Sequence, residues 1–489
     1  MTKTQRWSFF AVVSLGLLMI SLDNSILYTA MPALNAQLGA SPTESLWIIN
    51  AYPLVLSGLL LGTGSLGDKV GHRLMFVVGL CIFGLASLAA AYAPNALALI
   101  IARGFLGAGA AVMMPATLAL IRLTFDNEQE RNTAIGIWGS IAIVGASLGP
   151  VLGGALLEAF WWGSVFLINV PLVIVALVLT FALAPENLPN PAKQWDWVSS
   201  VYALLTLSGL TMTIKQVADP SALVLLTSLA AFVLGVVLFA RRQSRLPDPL
   251  LDFTIFRSQM FTGGVVAAVG SMFLASGIQL MTTQKLQLVD ALSPLAAGAT
   301  VIAMALAAFP ASILGGAFLH RIGFLPLIAG GFAGSVAGAA VLIAGSAGGN
   351  MATEVIGLAV LGISLGSVMS VSSIAILGAA PMHRSGMAAG VEEVSYEFGT
   401  LVAVALTGTL LPMWLVRNLP ADLQEVGMDA MYDPSLAPLA APAYVTAFDS
   451  VLTVLAVVAV VLSVAAWWCF RGNPKSGDSQ GVVPAPNLT

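Results

Sequence analysis

Charge is what this sequence has least of. Of its 489 residues only 9% are Asp, Glu, Lys or Arg, where soluble domains carry about 25%. A water-soluble fold cannot hide that much apolar surface, because a compact domain runs out of interior. Cysteine is almost missing too. Cys81 and Cys469 lie in apolar runs at opposite ends of the chain, with no CxxC, and only three histidines (His72, His320, His383) accompany them. That excludes a zinc-binding or disulfide framework, and no metal site is expected. Net charge is −4 and no basic tract occurs, so nucleic acid is not a partner. No GxxxxGK[ST] loop, HExxH or GxSxG is present. No cofactor is expected, and neither ATP-driven work nor a membrane enzyme is supported.

What is there in abundance is apolar length. The chain is 58% hydrophobic with a mean hydropathy of +0.94. A membrane-spanning helix needs about 20 apolar residues. Such runs fall near 8–33, 46–66, 73–93, 97–121, 132–157, 164–184, 197–217, 221–240, 260–282, 294–318, 324–346, 352–379, 386–414 and 445–470. Turn formers separate them, as in Ala93-Pro94-Asn95, Asp126-Asn127-Glu128 and Pro247-Asp248-Pro249. The fold class is an all-α membrane protein with fourteen spanning helices. Lys3 and Arg6 before an apolar run resemble a signal peptide, but Phe9 to Ala33 is too long and Asp23 interrupts it. A retained first helix is expected.

Basic residues test that count, because cytoplasmic loops are enriched in Lys and Arg. With the N-terminus inside, fifteen of the nineteen basic residues fall inside, and only Lys215, Lys285 and Arg417 fall outside. Arg103 is within a helix. One missed helix would reverse every later loop. Both termini are therefore expected in the cytoplasm. The Pro/Gly/Ser-rich tail 473–489 reads as disordered. The outer loop 415–444, with Asp422, Glu425, Asp429 and Asp433, is expected to form at most a small helix or hairpin.

Charges inside lipid are costly, so those that persist face a cavity and work there. Asp23 lies past the middle of helix 1, and Arg103 near the start of helix 4. Glu392, Glu393 and Glu397 lie in the first half of helix 13. Glu393 and Glu397 are four apart and share one face, with Glu392 turned aside. Two carboxylates that close in a low dielectric cannot both ionise easily, so the pair should share a proton and release it when a cation arrives. The competing reading for each acid is structural: a salt bridge, a hydrogen bond or a helix contact. Arg103 needs a carboxylate or carbonyl partner, and Asp23 is one candidate. Tyr28, Tyr52, Met113, Met114, Trp138 and Tyr396 are candidates for apolar and cation–π contact with a lipophilic cation, against ordinary packing for each. Gly145-x-x-x-Gly149-Pro150-x-x-Gly153-Gly154 places small residues at helical spacing around a kinking proline in helix 5.

These strings resemble the major facilitator superfamily, specifically its fourteen-helix drug:proton antiporter branch. Gly64-Ser-Leu-Gly-Asp68-Lys69-Val-Gly71-His-Arg73 resembles the signature loop between helices 2 and 3. Leu22-Asp23-Asn-Ser-Ile-Leu-Tyr-Thr-Ala-Met-Pro32, Arg103-Gly-x-x-Gly107-x-Gly109, the helix 5 glycine–proline string and Trp47-Ile-Ile-Asn-Ala-Tyr52 resemble further motifs of the branch. Within that branch the chain resembles bacterial exporters of quaternary ammonium compounds, dyes and biguanide-type antiseptics. The resemblance implies two six-helix bundles, within 1–190 and 246–472, and an inserted helix pair within 191–245. It implies rocking about a central cavity and a place in a bacterial cytoplasmic (inner) membrane. A single chain is expected to act as a monomer on lipophilic cations and protons. Asp68 and Arg73 would latch the inner loop, Arg103 would take part in proton coupling, and the helix 5 motif would pack tightly against leak.

Two departures stand out. The second-half loop Gly316-Ala-Phe-Leu-His320-Arg321-Ile-Gly323 lacks the acid, and residues 291–320 contain no Asp or Glu. The cation site that some relatives carry in helix 10 is thus missing, which moves weight onto helix 13. A uniporter or importer of a neutral or anionic metabolite, with structural acids, is the alternative.

Overall fold

In the computed structural model the described residues are 2–40, 42–190, 195–215, 221–246, 249–292, 294–381, 384–431, 433 and 435–471. The tail 473–489, Lys193, Pro247-Asp248 and His383 lie outside them. Fourteen long helices follow one another. They are α1 Lys3–Leu38, α2 Pro42–Val70, α3 His72–Ala91, α4 Ala96–Thr124, α5 Glu128–Ala159, α6 Ser164–Leu183, α7 Trp197–Lys215, α8 Ala222–Gln243, α9 Gln259–Leu288, α10 Pro294–Ile322, α11 Phe324–Ala347, α12 Met351–Ala379, α13 Ser385–Asn418 and α14 Ala437–Phe470. Thirteen are long and apolar enough to cross a membrane. The other, α5, has 32 residues and carries no charge from Ala134 to Val151. The chain is a multi-pass membrane protein.

Local chemistry sets the ends. Asn95, Asn127, Ser258 and Asn350 cap α4, α5, α9 and α12 by accepting from backbone amides of the first turn. The α2–α3 and α10–α11 turns each pass through a glycine at positive φ, Gly71 at 96° and Gly323 at 90°. The second loop has lost its acid but kept its backbone shape, which a side chain would strain. The segment expected as the outer loop 415–444 is shorter than expected, because α13 runs to Asn418 and α14 starts at Ala437. Between them Gly427–Met431 forms a single 3₁₀ turn.

Packing divides the contacts. Within α1–α6, α4 packs on α1, α2 and α3, while α5 and α6 pack on α1. Within α9–α14, α12 packs on α9, α10 and α11, and α14 on α9, α11 and α13. α2 meets α13, and α5 meets α10. The α7–α8 hairpin lies against α2. Ser57 Oγ is 3.3 Å from Thr211 Oγ1, and the Trp195 indole donates to the Gly62 carbonyl at 3.0 Å.

One face of the bundle is basic. Arg73, Arg122, Arg131, Arg241, Arg242, Arg257, Arg321, Arg384 and Arg471 all lie at helix ends on the side of the α2–α3 loop. Lys285 departs from its expected place in an outer loop. It lies in the last turn of α9, on the opposite side, and is buried.

Candidate transport site

The first half of the site is a closed ion pair. Arg103 of α4 donates from Nη1 to Asp23 Oδ2 of α1 at 2.7 Å, and both side chains are fully buried. The second carboxylate oxygen accepts from Asn169 Nδ2 of α6 at 2.9 Å, and that amide also reaches Ser87 Oγ of α3 at 3.2 Å. Arg103 Nε donates to the Ile48 carbonyl at 3.2 Å, and its guanidinium lies 4.6 Å from the centre of the Tyr52 ring. The glycines of the α4 motif make this approach possible. A Cβ on Gly107 would lie 2.4 Å from the Tyr52 carbonyl oxygen, and one on Gly109 would lie 2.8 Å from the Phe83 nitrogen. Both oxygens of Asp23 are thereby occupied. Its expected role as a direct contact for a cation does not hold in this conformation, because Arg103 has already matched its charge. Removing one partner of such a pair typically costs about 3–5 kcal/mol, since the other charge is left buried alone.

The second half is on α13, where the 100° helical step separates neighbouring acids. Glu392 turns into the packing with α12. Its Oε1 accepts from Ser373 Oγ and, at 3.0 Å, from the Tyr396 hydroxyl, which also lies 3.2 Å from the Met369 carbonyl. Tyr396 thus serves Glu392 and is buried. This corrects its expected role as a substrate contact. Glu393 is one helical step, about 100°, round from Glu392. It is buried, with Oε1 lacking a hydrogen-bond partner among the described residues. Glu393 lies within electrostatic reach of Glu397 and Glu392. Tyr52 stands within reach of both halves: Asp23 and Arg103 on one side, Glu393 and Glu397 on the other. Its hydroxyl is buried and without a hydrogen-bond partner among the described residues.

Toward the basic face the two halves close on each other. Asp68 of α2 caps the start of α13, accepting from the Gly386 amide at 2.8 Å and the Met387 amide at 3.3 Å. A carboxylate there meets unsatisfied N–H groups and the positive end of the helix dipole. Backbone touches backbone at this point, since a Cβ on Gly64 would lie 2.3 Å from the Gly386 oxygen. Arg122 donates to the Ala380 carbonyl at 2.6 Å. The α5–α10 contact closes deeper in the same half, with Ser312 Oγ donating to the Gly136 carbonyl at 2.7 Å and Ser140 Oγ to that of Phe309 at 3.1 Å. These hydrogen bonds between α1–α6 and α9–α14 lie in the basic half. On the other side Leu148 and Val151 of α5 are exposed, and Gly154 and Gly298 have open space where a Cβ would stand. The two groups of helices are thus held closed on each other at the basic face.

Several expected roles shift. Arg73 donates to the Pro185 carbonyl at 3.2 Å, so it holds the segment after α6 and does not join the α13 contact. Asn187 completes that clasp by donating to the Val70 carbonyl at 2.7 Å, against Gly71. Met113 is fully buried against Gly16 and Gly79, where α4 meets α1 and α3, and Met114 is buried as well. Trp138 is buried with its indole N–H on Thr117 Oγ1 at 3.0 Å. These are packing residues here, with no free surface for a substrate. The Tyr28 and Pro150 side chains lie outside the described residues. In α5, Gly145 and Gly149 sit against Ser21 and Ser25 of α1, as close packing requires, whereas Gly154 does not pack.

The sequence reading missed one charged cluster. Lys285 Nζ of α9 lies 2.5 Å from Glu354 Oε1 of α12 and 2.9 Å from Asp290 Oδ2. Lys285 was expected in an outer loop and Glu354 was assigned no role; the buried contact between α9 and α12 reveals the pair.

Comparison with known proteins agrees with this architecture. Residues 13–278 match the Major Facilitator Superfamily model. The chain is 35% identical to the multidrug efflux pump LfrA of Mycolicibacterium smegmatis over 95% of each chain. It is 36% identical to the methyl viologen resistance protein SmvA of Salmonella typhimurium over 86% of each. Among solved structures it resembles the human organic anion transporter MFSD10, with a TM-score of 0.64 at 16% identity over 94% of this chain and 99% of that one. It also resembles the proton:xylose symporter XylE, with a TM-score of 0.58 at 13% identity over 94% and 95%. At such low identities these two share the fold alone. By sequence motif, helix packing and family match, the chain belongs to the major facilitator superfamily of transporters.

Proposed function

We propose that this transporter is a proton-coupled multidrug efflux antiporter that exports lipophilic cations, such as quaternary ammonium compounds, dyes and biguanide-type antiseptics. It works in a bacterial cytoplasmic membrane with both termini and the basic face inside. The observation that carries this reading is Glu393: a buried carboxylate with an oxygen that has no hydrogen-bond donor among the described residues, beside two further acids on α13. Such a group is stable when protonated or when a cation is near, and costly when neither holds. Proton and cation therefore compete for one place, which is what exchange requires. The relatives named for multidrug efflux and methyl viologen resistance favour the same direction and cargo, since methyl viologen is a planar organic dication.

The cycle follows from charge. With the basic face closed and the opposite side open outward, protons reach Glu393 and Glu397 and release the bound cation. The protonated carrier closes outside and opens at the basic face as the Asp68–α13 cap and the α5–α10 contact part. Protons leave to the cytoplasm and a new cation takes their place. Tyr52 couples the α13 acids to the Asp23–Arg103 pair. Each charge moved through 100 mV contributes about 2.3 kcal/mol. The groups α1–α6 and α9–α14 act as the two rocking units, with α7–α8 as an inserted pair. In everted vesicles the Glu393→Gln, Glu397→Gln double variant should lose proton-coupled efflux of an ethidium-like dye. Unchanged coupling would remove both residues from the mechanism.

A further inference from the structure

At the basic end of the α7–α8 hairpin is a cavity of about 270 Å³ lined by Tyr202, Leu238, Arg241, Arg242, Arg245 and Leu246. Three guanidiniums meet there, and they are not equivalent. Arg242 is already matched. Its Nε and Nη2 donate to both oxygens of Asp196 at 2.5 and 2.9 Å, and Ser199 Oγ also donates to Asp196 at 2.6 Å. Gln243 fixes the same corner, donating to Ser199 at 2.7 Å and accepting from the Leu251 amide at 3.3 Å. Arg241 and Arg245 have no acidic partner among the described residues. They are exposed and four apart, so they share one face at the end of α8, a like-charge spacing that is unfavourable unless an anion lies between them.

The helix carrying them is the most lipid-facing of the spans, with only 17% of its apolar window buried. Leu223, Leu226, Val233 and Leu234 are exposed along it. A cationic cavity at the membrane surface, continuous with an apolar helix flank, matches a molecule with an anionic head and hydrocarbon chains. We propose that Arg241 and Arg245 form a binding site for the phosphodiester headgroup of an anionic phospholipid, with its chains along α8. The site braces α7 against α2, the helix whose basic end carries Asp68 and the contact with α13. It is separate from the acids of the transport site.

The full chain in nanodiscs tests this. Wild type in mixed phosphatidylcholine and phosphatidylglycerol should retain phosphatidylglycerol in native mass spectra and melt higher than in phosphatidylcholine alone. The Arg241→Gln, Arg245→Gln variant should bind phosphatidylglycerol about thirtyfold more weakly, from about 1 kcal/mol for each of two arginines. It should melt no lower than wild type in pure phosphatidylcholine, which separates lost binding from lost folding. Arg241→Lys with Arg245→Lys should keep most of the effect. Equal retention of phosphatidylglycerol by the glutamine variant would overturn the site. So would stabilisation by inorganic phosphate in pure phosphatidylcholine equal to that by the lipid, which would make the ligand a free anion.

Discussion

Asp23 and Glu393 are both acids buried at membrane depth, yet they have opposite surroundings. Asp23 has a guanidinium on one oxygen and an amide on the other. Glu393 has an oxygen with no hydrogen-bond donor among the described residues, and two further acids close by. The difference separates two uses of a buried charge. A fully matched acid holds helices α1, α4 and α6 together and has little to gain from a passing cation. An unmatched acid has a large difference in free energy between its empty, protonated and cation-bound states, and that difference is what a ligand or proton exploits to shift a conformation.

The sharpest way to break the contrast is to unmatch Asp23. Arg103→Ala should destabilise the protein by about 3–5 kcal/mol, seen as a fall in melting temperature. Adding Asp23→Asn should recover much of the loss, and an additive double variant would deny the pairing. The second test unloads the other side. Glu393→Gln should abolish coupled efflux while leaving the melting temperature equal or raised, because a neutral amide is cheaper to bury than a lone carboxylate. Glu392→Gln, whose native partners are Ser373 and Tyr396, should retain most transport. A third test moves the conformation on which both descriptions rest. Gly64→Val would place a side chain against the Gly386 backbone, so spin-label distances between the basic ends of α2 and α13 should lengthen.

The smallest effect lies outside the membrane. Asp252 pairs with Arg384 next to the start of α13. The Thr254 hydroxyl above all, opposed by burial and helped by the Thr254 amide and Arg384, holds the Asp252 carboxyl below the usual aspartate range. A lowered folded value means stability is present above the unfolded value of about 3.9 and fades as pH falls below it. Asp252→Asn should therefore lower the melting temperature slightly at neutral pH, by under about 1 kcal/mol, with the difference vanishing in acid.

These contrasts were unequally legible in the residues. The helices were, because apolar runs of membrane length and the sidedness of arginine leave little freedom. The turning of Glu392 away from Glu393 and Glu397 was legible too, since helical spacing alone dictates it. The match of Arg103 to Asp23 was only one possibility, because the two are 80 residues apart and no local pattern joins them. The burial of Met113 and Trp138 was hidden for the same reason: an apolar side chain reads alike whether it lines a cavity or fills the contact between two helices. The pairing of Lys285 with Glu354 was hidden because each sits within a turn of a helix end, where a charge ordinarily reaches water.

The contrast between the matched and the unmatched acid can be tested in one titration. Tetraphenylphosphonium is added to purified protein in weak buffer near neutral pH, and the protons released are counted. Wild type, Glu392→Gln and Asp23→Asn with Arg103→Gln should all release protons on binding, and Glu393→Gln with Glu397→Gln should release none. Undiminished release from that last variant, or its loss from the Asp23 and Arg103 variant with cation binding intact, would place the exchangeable proton on the wrong side of the comparison and contradict the account.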